Sequence, residues 1–563
     1  MEQKISIVPE PKSIKTTGNW LKFTGIKNCP AVLKKYFGIK TGDFAIEKIA
    51  NPGIGIQISD KQIKIWGDEN ICYSTLYQLI LHKKGFLPEL RIEESLKHDF
   101  RAYHHDIARG GVLTVDSFKK LLRLLFICKY NYFFIYFEDL FSWEKYPDIG
   151  SARGKLTREE LTEIIGYGKQ LGIEICPSLE LMGHMEWIFR IPAYSKFSEK
   201  NFVFPAGEDC LNGSDDEAKQ FAYDLLQEVI DFFKDAKYIH IGGDETWSSG
   251  RYKSLDKFNE YRAPEMYLEH HKNMIEIVRK NNKIPVLWGD MLTGMYLHKE
   301  IKHKWENVIN SKVWDDVLIA NWDYASESKE HFDKKIKLFG SREQIICPGT
   351  SNWGRYYPDY PVAEINIMNF SEAAKENNTV KGFLLTSWGD DGAESFHVYQ
   401  EPLILAQMEC IEGNGDWVSK WLNISQESME ILEVRKQFGT SQVINITKPV
   451  LLCNSKLEKK DVSLLKKIIK DTEKIKLDEY LSLTRELIGI LLKKSSGKLK
   501  PADILGYVKK YARLWLKERK KANLNVVTNK FKTVYADVSG YDKKVLCIRT
   551  KFSLDKRIKN KYK

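Results

Sequence analysis

The stretch KYIHIGGDETW, residues 237–247, decides how the rest of the chain is read. Tyr238–Ile241 is an apolar, β-prone run, and it breaks at Gly242 and Gly243. Asp244 and Glu245 then stand side by side, with Trp247 just beyond. On a regular strand two successive side chains point to opposite faces. A glycine pair allows a tight bend that can turn both carboxylates to the same side. A helix N-terminus would also favour an Asp-Glu pair, so the neighbouring segments have to choose between the two.

Working outward, the same unit recurs. Strand-like runs are FRAYHHDIA (100–108), YFFIYFED (132–139), IEICPSLEL (173–181), YIHIGGDE (238–245), IPVLWGD (284–290), VLIANWDY (317–324), QIICPGTSNW (344–353) and VKGFLLTSW (380–388). Helix-like segments such as SFKKLLRLLFICKY, TREELTEIIGYGKQLG and DDEAKQFAYDLLQEVIDFFKD lie between most of them. The strands are apolar without strict alternation, as strands covered on both faces are. Eight such strands over roughly 310 residues fit an α/β fold, a (β/α)8 TIM barrel. The expected division is an N-terminal α+β domain over 1–97, the barrel over 98–411, and a mainly helical, basic C-terminal region over 412–563. The N-terminal part is expected to hold short strands (IGIQIS, QIKIWG) and one amphipathic helix, ICYSTLYQLILHKKG. The last part is expected to close with a β-like piece, NVVTNKFKTVYADVSG through KVLCIRTKF.

Composition narrows the function classes. Hydrophobic residues form 43% of the 563 and aromatics 12%, enough for a large core and against global disorder. No apolar run reaches membrane length, and MEQKISIVPEP lacks the apolar core of a secretory signal. Nine scattered cysteines without CxxC pairs read as reduced thiols, so a cytoplasmic protein is expected. The formal charge of +11 is uneven: residues 451–563 hold 31 Lys+Arg against 12 Asp+Glu, a formal +19, which leaves −8 for residues 1–450. No RNA-binding motif or Gly-Arg tract accompanies the basic part, so solvated helix faces explain it and no nucleic-acid or membrane partner is expected.

In a barrel of this kind the chemistry sits at the C-terminal ends of the strands. Those ends carry Asp106 and Arg109; Glu138 and Asp139; Glu180 and His184; Asp244, Glu245 and Trp247; Trp288 and Asp290; Trp322, Asp323 and Tyr324; Trp353; and Trp388 with Asp390. Five successive strand ends each bring a tryptophan. Flat rings beside carboxylates suit a sugar, whose C–H face stacks while its hydroxyls are hydrogen-bonded. Metal chemistry competes, because His104, His105, His184 and His240 lie near strand ends, but none shows the HxH or HExxH spacing that aims two imidazoles at one ion. Glycoside cleavage needs an acid that is protonated near neutrality, and an ionised neighbour raises a carboxyl's pKa. A nucleophile-plus-acid pair needs roughly 5 Å or more between the groups, across the scissile bond. If Glu245 is the acid, Asp244 therefore acts in another way.

The chain resembles the family 20 glycoside hydrolases, the β-N-acetylhexosaminidases. HIGGDETW resembles their H-x-G-G-D-E catalytic stretch, and HHDIARG, KYNYFFIYFEDLFSW, LELMGHMEW and TSWGDDG resemble further family segments in the right order over about residues 1–410. The resemblance implies an exo-acting, retaining enzyme that removes terminal β-GlcNAc or β-GalNAc, with the substrate's own 2-acetamido oxygen as nucleophile and an oxazolinium intermediate. It implies Glu245 as general acid and base, Asp244 as partner of the acetamido N–H, and Tyr324 as donor to the acetamido oxygen. Trp288, Trp322 and Trp388 would wall the acetamido pocket, while Arg109, Asp139, His184 and Asp390, with Trp353 from its place at a strand end, complete the substrate-binding set. No metal and no cofactor is implied. The chain departs from the family pattern at Tyr136, Met182 and Ser326. A conventional retaining β-glycosidase with Glu180 or Asp106 as nucleophile, and a non-catalytic carbohydrate-binding barrel, are the alternatives.

Overall fold

The computed structural model describes residues 5–200, 209–294, 297, 299–453 and 455–538. The first unit is a five-stranded sheet of β1 (Ser13–Lys22), β2 (Ala45–Lys48), β3 (Gly55–Ser59), β4 (Gln62–Trp66) and β5 (Phe86–Glu93), in the order β1-β5-β3-β4-β2. Two helices accompany it, Ala31–Phe37 and Glu69–His82, where a single one is expected from the sequence. The second is capped by the Asp68 carboxylate, which accepts from the Asn70 and Ile71 N–H groups. It also joins this unit to the next: Gln78 accepts from the Val8 N–H and donates to the Ile127 carbonyl, both at 2.8 Å.

The barrel closes as expected from the eight runs. Its strands are β6 (Phe100–Asp106), β7 (Tyr132–Tyr136), β8 (Glu174–Ser178), β9 (Tyr238–His240), β10 (Ile284–Trp288), β11 (Leu318–Trp322), β12 (Gln344–Cys347) and β13 (Val380–Ser387), all parallel, with β13 pairing back onto β6. Their side chains are almost wholly buried, on the inside by one another and on the outside by helices such as Val115–Ile127, Arg158–Gln170 and Asp216–Phe232. β9 is the shortest, three residues, because Gly242 (φ 70°) and Gly243 (φ 99°) bend the chain off the sheet directly after Ile241. The bend is still fastened to its neighbour, since the Trp288 N–H donates to the Gly242 carbonyl at 3.0 Å.

Helices continue from Glu401–Glu412 to the end of the described chain. Glu412 accepts from the Lys97 N–H and from His98 Nδ1, 2.6 and 2.7 Å, so the start of the barrel is tied to the helix that follows its last strand. Among the described residues no helix is long and apolar enough to cross a membrane. One expectation is overturned. The segment beginning NVVTNKFKTVYADV is the helix Leu524–Val538, not a β piece. Its β-branched residues suggest a strand, yet Val527, Phe531 and Val534, which are buried, recur at helical spacing. KVLCIRTKF lies outside the described residues.

Candidate active site

A cavity of about 740 Å3 opens at the C-terminal ends of the barrel strands. Arg109, Tyr136, His184, Asp244, Glu245, Trp322, Tyr324, Trp353, Trp388 and Asp390 line it. Of the residues expected at the site, Trp288 and Asp139 are not part of this wall. Trp288 is fully buried beneath it and donates from Nε1 to Glu180 Oε1 at 3.0 Å. Asp139 is buried and pairs with Arg153. Trp247 is partly buried against the core and does not line the cavity. Three of the five strand-end tryptophans therefore face the cavity.

The bend after β9 brings both acidic side chains to the wall. Glu245 itself has φ 47°, and Glu138 and His184 at the ends of the two preceding strands have φ 45° and 48°. Left-handed backbone at non-glycine residues costs of order 1–3 kcal/mol each and collects where function imposes it. Tyr267 holds the bend by donating to the Gly243 carbonyl at 2.8 Å, and the Glu245 N–H donates to Asp290 Oδ2 at 3.1 Å. His184 Nε2 lies 3.6 Å from Asp244 Oδ2 and 3.5 Å from Glu245 Oε2. Burial opposes a charge on His184, but Asp244 and the hydrogen bonds to both acids win and hold its pKa well above the ordinary histidine value. The imidazole is thus a cation held between the ionised Asp244 and the side chain of Glu245. The three ligand atoms come within 4.8 Å of one another, a spacing that this ion pairing accounts for by itself.

A second layer of acids sits behind the first. Burial pushes Glu180 well above the usual carboxylate range and the charge on Asp244 pushes it further. Asp244 is lowered despite its burial, because His184 and a hydrogen bond from Glu180 favour its ionised form. Glu180 therefore carries the proton of that pair. Asp290 is raised to about 8 by burial and by the charge on Asp244, although it accepts from Trp322 Nε1 at 3.3 Å.

On the opposite wall Arg109 reaches Glu138 Oε1 at 3.1 Å, Asp106 Oδ2 at 3.3 Å and Asp390 Oδ1 at 3.7 Å, with Tyr136 and Trp388 under its guanidinium at 5.1 and 5.4 Å. Glu138 is nonetheless raised to about 8: burial outweighs an arginine that it shares with two other carboxylates. Tyr136 donates to Glu138 Oε1 at 3.0 Å and fixes it. Tyr324 accepts from Trp388 Nε1 at 2.8 Å and lies 5.2 Å from the Trp322 ring and 4.9 Å from that of Trp353. The other strand-end imidazoles are elsewhere. His104 and His240 lie buried in the barrel, and burial keeps both neutral, His240 at about 3. His105 faces Phe118 and His397.

Residues 98–393 match the sequence profile described as glycosyl hydrolase family 20, catalytic domain. The chain belongs to that family. A β-hexosaminidase of Porphyromonas gingivalis is 23% identical over 256 residues, 42% of this chain and 31% of the relative. Human hexosaminidase D is 22% identical over 242 residues, 42% of this chain and 47% of the relative. The chain thus spans less than half the length of either. Among solved structures, a β-N-acetylhexosaminidase of Bacteroides fragilis superposes with a TM-score of 0.60 at 18% identity, covering 76% of this chain and 96% of that one. The chitobiase of Flavobacterium johnsoniae gives 0.57 at 14%, covering 94% and 100%. At these identities the likeness is one of fold.

Within this family 20 domain several wall residues escape a reading of motifs. Glu138 and Asp139 are adjacent and both lie just behind the wall, Glu138 against Arg109 and Tyr136 and Asp139 against Arg153. Arg153 and Trp187 also line the cavity, stacked with the Arg153 guanidinium 3.6 Å from the indole. So do Asn523, Val526 and Lys530, more than 130 residues beyond β13. No local signal marks those three.

Proposed function

We propose that the chain is a retaining β-N-acetylhexosaminidase that removes terminal β-linked GlcNAc or GalNAc from a glycan and uses the substrate's acetamido group as nucleophile. The observation that carries this is the placement of the acids. Asp244 and Glu245 stand together on the cavity wall about one imidazole. The two candidate protein nucleophiles do not line the cavity: Glu180 is committed to Trp288 and to the Gly243 N–H, and Asp106 to the backbone of Ala108 and Gly389. Two carboxylates side by side cannot flank a glycosidic bond from opposite faces, so the attacking atom is better supplied by the sugar.

In this reading the acetamido oxygen forms a bond to C1 while the C1–O bond to the leaving group breaks and Glu245 gives its proton to that oxygen. Asp244, ionised, accepts from the acetamido N–H and balances the charge that spreads over the ring formed. Tyr324, positioned by the hydrogen bond it accepts from Trp388 Nε1, donates its hydroxyl hydrogen to the acetamido oxygen. Water then adds to C1, Glu245 takes its proton, the acetamido group is restored, and configuration is retained. Glu245→Gln is expected to lose nearly all turnover of an aryl β-N-acetylglucosaminide with the fold intact by circular dichroism. Near-parental kcat in that variant, or equal hydrolysis of the 2-acetamido and 2-hydroxy substrates by the parent, would overturn the reading.

A further inference from the structure

The helix Leu524–Val538 and the residues before it return over the open end of the barrel, and their contacts converge on one short segment. Lys530 donates to the Asp391 carbonyl and to the buried Glu394 carboxylate. Arg519 is buried and donates to the carbonyls of Ala393, at 2.6 Å, and Ser395, while its guanidinium lies over the Phe396 and Trp515 rings. Tyr511 donates to the Glu394 carbonyl at 2.8 Å. Val526 fills the space at Gly392, where a Cβ would approach its side chain to 3.0 Å.

The segment so gripped has an unusual backbone. Asp391, Gly392 and Ala393 follow one another at φ 64°, 101° and 56°. Left-handed backbone at Asp391 and Ala393 costs of order 1–3 kcal/mol each and persists where surrounding structure over-determines it. Here the surroundings are the C-terminal helices. The segment begins directly after Asp390, which faces Arg109 Nε at 3.7 Å, and the Ala393 N–H is bonded at 2.6 Å to Gly389, whose own N–H donates to Asp106 Oδ2 at 2.8 Å. The carboxylates that position Arg109 are thus coupled to the far end of the chain through three residues.

We propose that Arg519 and Lys530 are positioning residues that hold the 391–395 loop in its left-handed form, and through it the Arg109–Asp390 pair against the hydroxyl edge of the bound sugar. The C-terminal helices are then a specificity-determining part of the site. This rests on the reading of the cavity as one for a terminal N-acetylhexosamine. GlcNAc and GalNAc differ only in the orientation of the 4-hydroxyl, so a loosened Arg109–Asp390 pair affects binding and discrimination. The acid follows β9, and Trp322 and Tyr324 stand at the end of β11, away from the loop; of the acetamido wall only Trp388, at the end of β13, adjoins it.

The test compares the parent with Lys530→Met and Arg519→Lys on aryl β-GlcNAc and aryl β-GalNAc. Lys510→Met is the control; that side chain pairs with Glu486 away from the loop. Expected for Lys530→Met are a KM raised about fivefold or more, kcat within about twofold, and a GlcNAc-to-GalNAc ratio of kcat/KM closer to one. Lys530→Arg, which retains the donors, is expected to keep the parental values. Unchanged KM and ratio, or a fall in kcat alone that Lys510→Met shares, would overturn the proposal. If Arg519→Lys does not fold, the Lys530 pair decides. If the parent turns over neither substrate, the reaction reading fails by itself. The positioning claim is then decided by calorimetry with free N-acetylglucosamine: an equal Kd in parent and Lys530→Met, or no binding to the parent, overturns it.

Discussion

Asp244 and Asp290 show how neighbouring carboxyls in one site are driven to opposite protonation states. Asp244 keeps its charge through His184, and that charge, with burial, raises Asp290 to about 8. In the proposed mechanism Asp244→Asn removes the acceptor for a cationic intermediate, so kcat is expected to fall by on the order of 10²-fold while KM changes little. Steady-state kinetics on an aryl β-GlcNAc checks it, and a rise in KM alone would exclude the role. Asp290 has a consequence for stability. Unfolded, it ionises near the ordinary value, about 4; folded, it holds its proton to about 8. Between those pH values the native state binds more protons than the unfolded one, so its contribution to stability is fully present at low pH and is lost as pH rises towards 8. Asp290→Asn cannot titrate, and its Tm is expected to decline less than the parent's between pH 5 and 8. Parallel Tm curves would show that Asp290 is ionised in the folded protein.

At the scale of the element, β9 and its bend carry the site, and here much of the reading from sequence holds for a physical reason. A three-residue strand followed by two left-handed glycines has few alternatives, because Gly242 abuts Glu180 and a Cβ at Gly243 would lie 2.6 Å from Leu287 Cδ1 and 2.8 Å from His271 Nε2. Gly243→Ala therefore combines backbone strain with overpacking and is expected to cost on the order of 3 kcal/mol, together with activity. Gly38→Ala is the comparison: also a positive φ (69° against 99°), but nothing within 4 Å of the added carbon. About 1 kcal/mol is expected there. Urea unfolding of the two variants checks the order, and equal losses would mean that crowding at Gly243 is relieved cheaply. Other elements were less legible. After β7, Glu138 pairs with Arg109 and Asp139 with Arg153, partners that their adjacency in the sequence does not assign. The helix Leu524–Val538 is rich in β-branched residues, and its packing on the barrel loops overrides their preference.

Across the whole molecule, the barrel is legible because each strand and helix repeats one local pattern, whereas its attachments are not, because they join residues far apart in the chain. Arg519 on Ala393 and Asn523 on Arg153 span 126 and 370 residues. The joint between the N-terminal sheet and the barrel is of the same kind. Lys129, following the Val115–Ile127 helix, places Nζ 2.9 Å from both Glu94 oxygens, with both side chains at most 1% exposed, and the Thr75 hydroxyl donates to the same carboxylate. Removing one partner of a buried pair strands the other charge, so Lys129→Met is expected to cost about 3–5 kcal/mol. Replacing both ends leaves no buried charge, so Lys129→Met combined with Glu94→Leu is expected to recover most of that loss. The midpoint of the first urea transition, followed by tryptophan fluorescence, reads the effect. The single variant should unfold at clearly lower urea than the parent, with the double variant between them. A single variant indistinguishable from the parent would mean that apolar contacts and other hydrogen bonds, such as those of Gln78 and Ser74 to the Ile127 carbonyl, suffice to hold the sheet to the barrel.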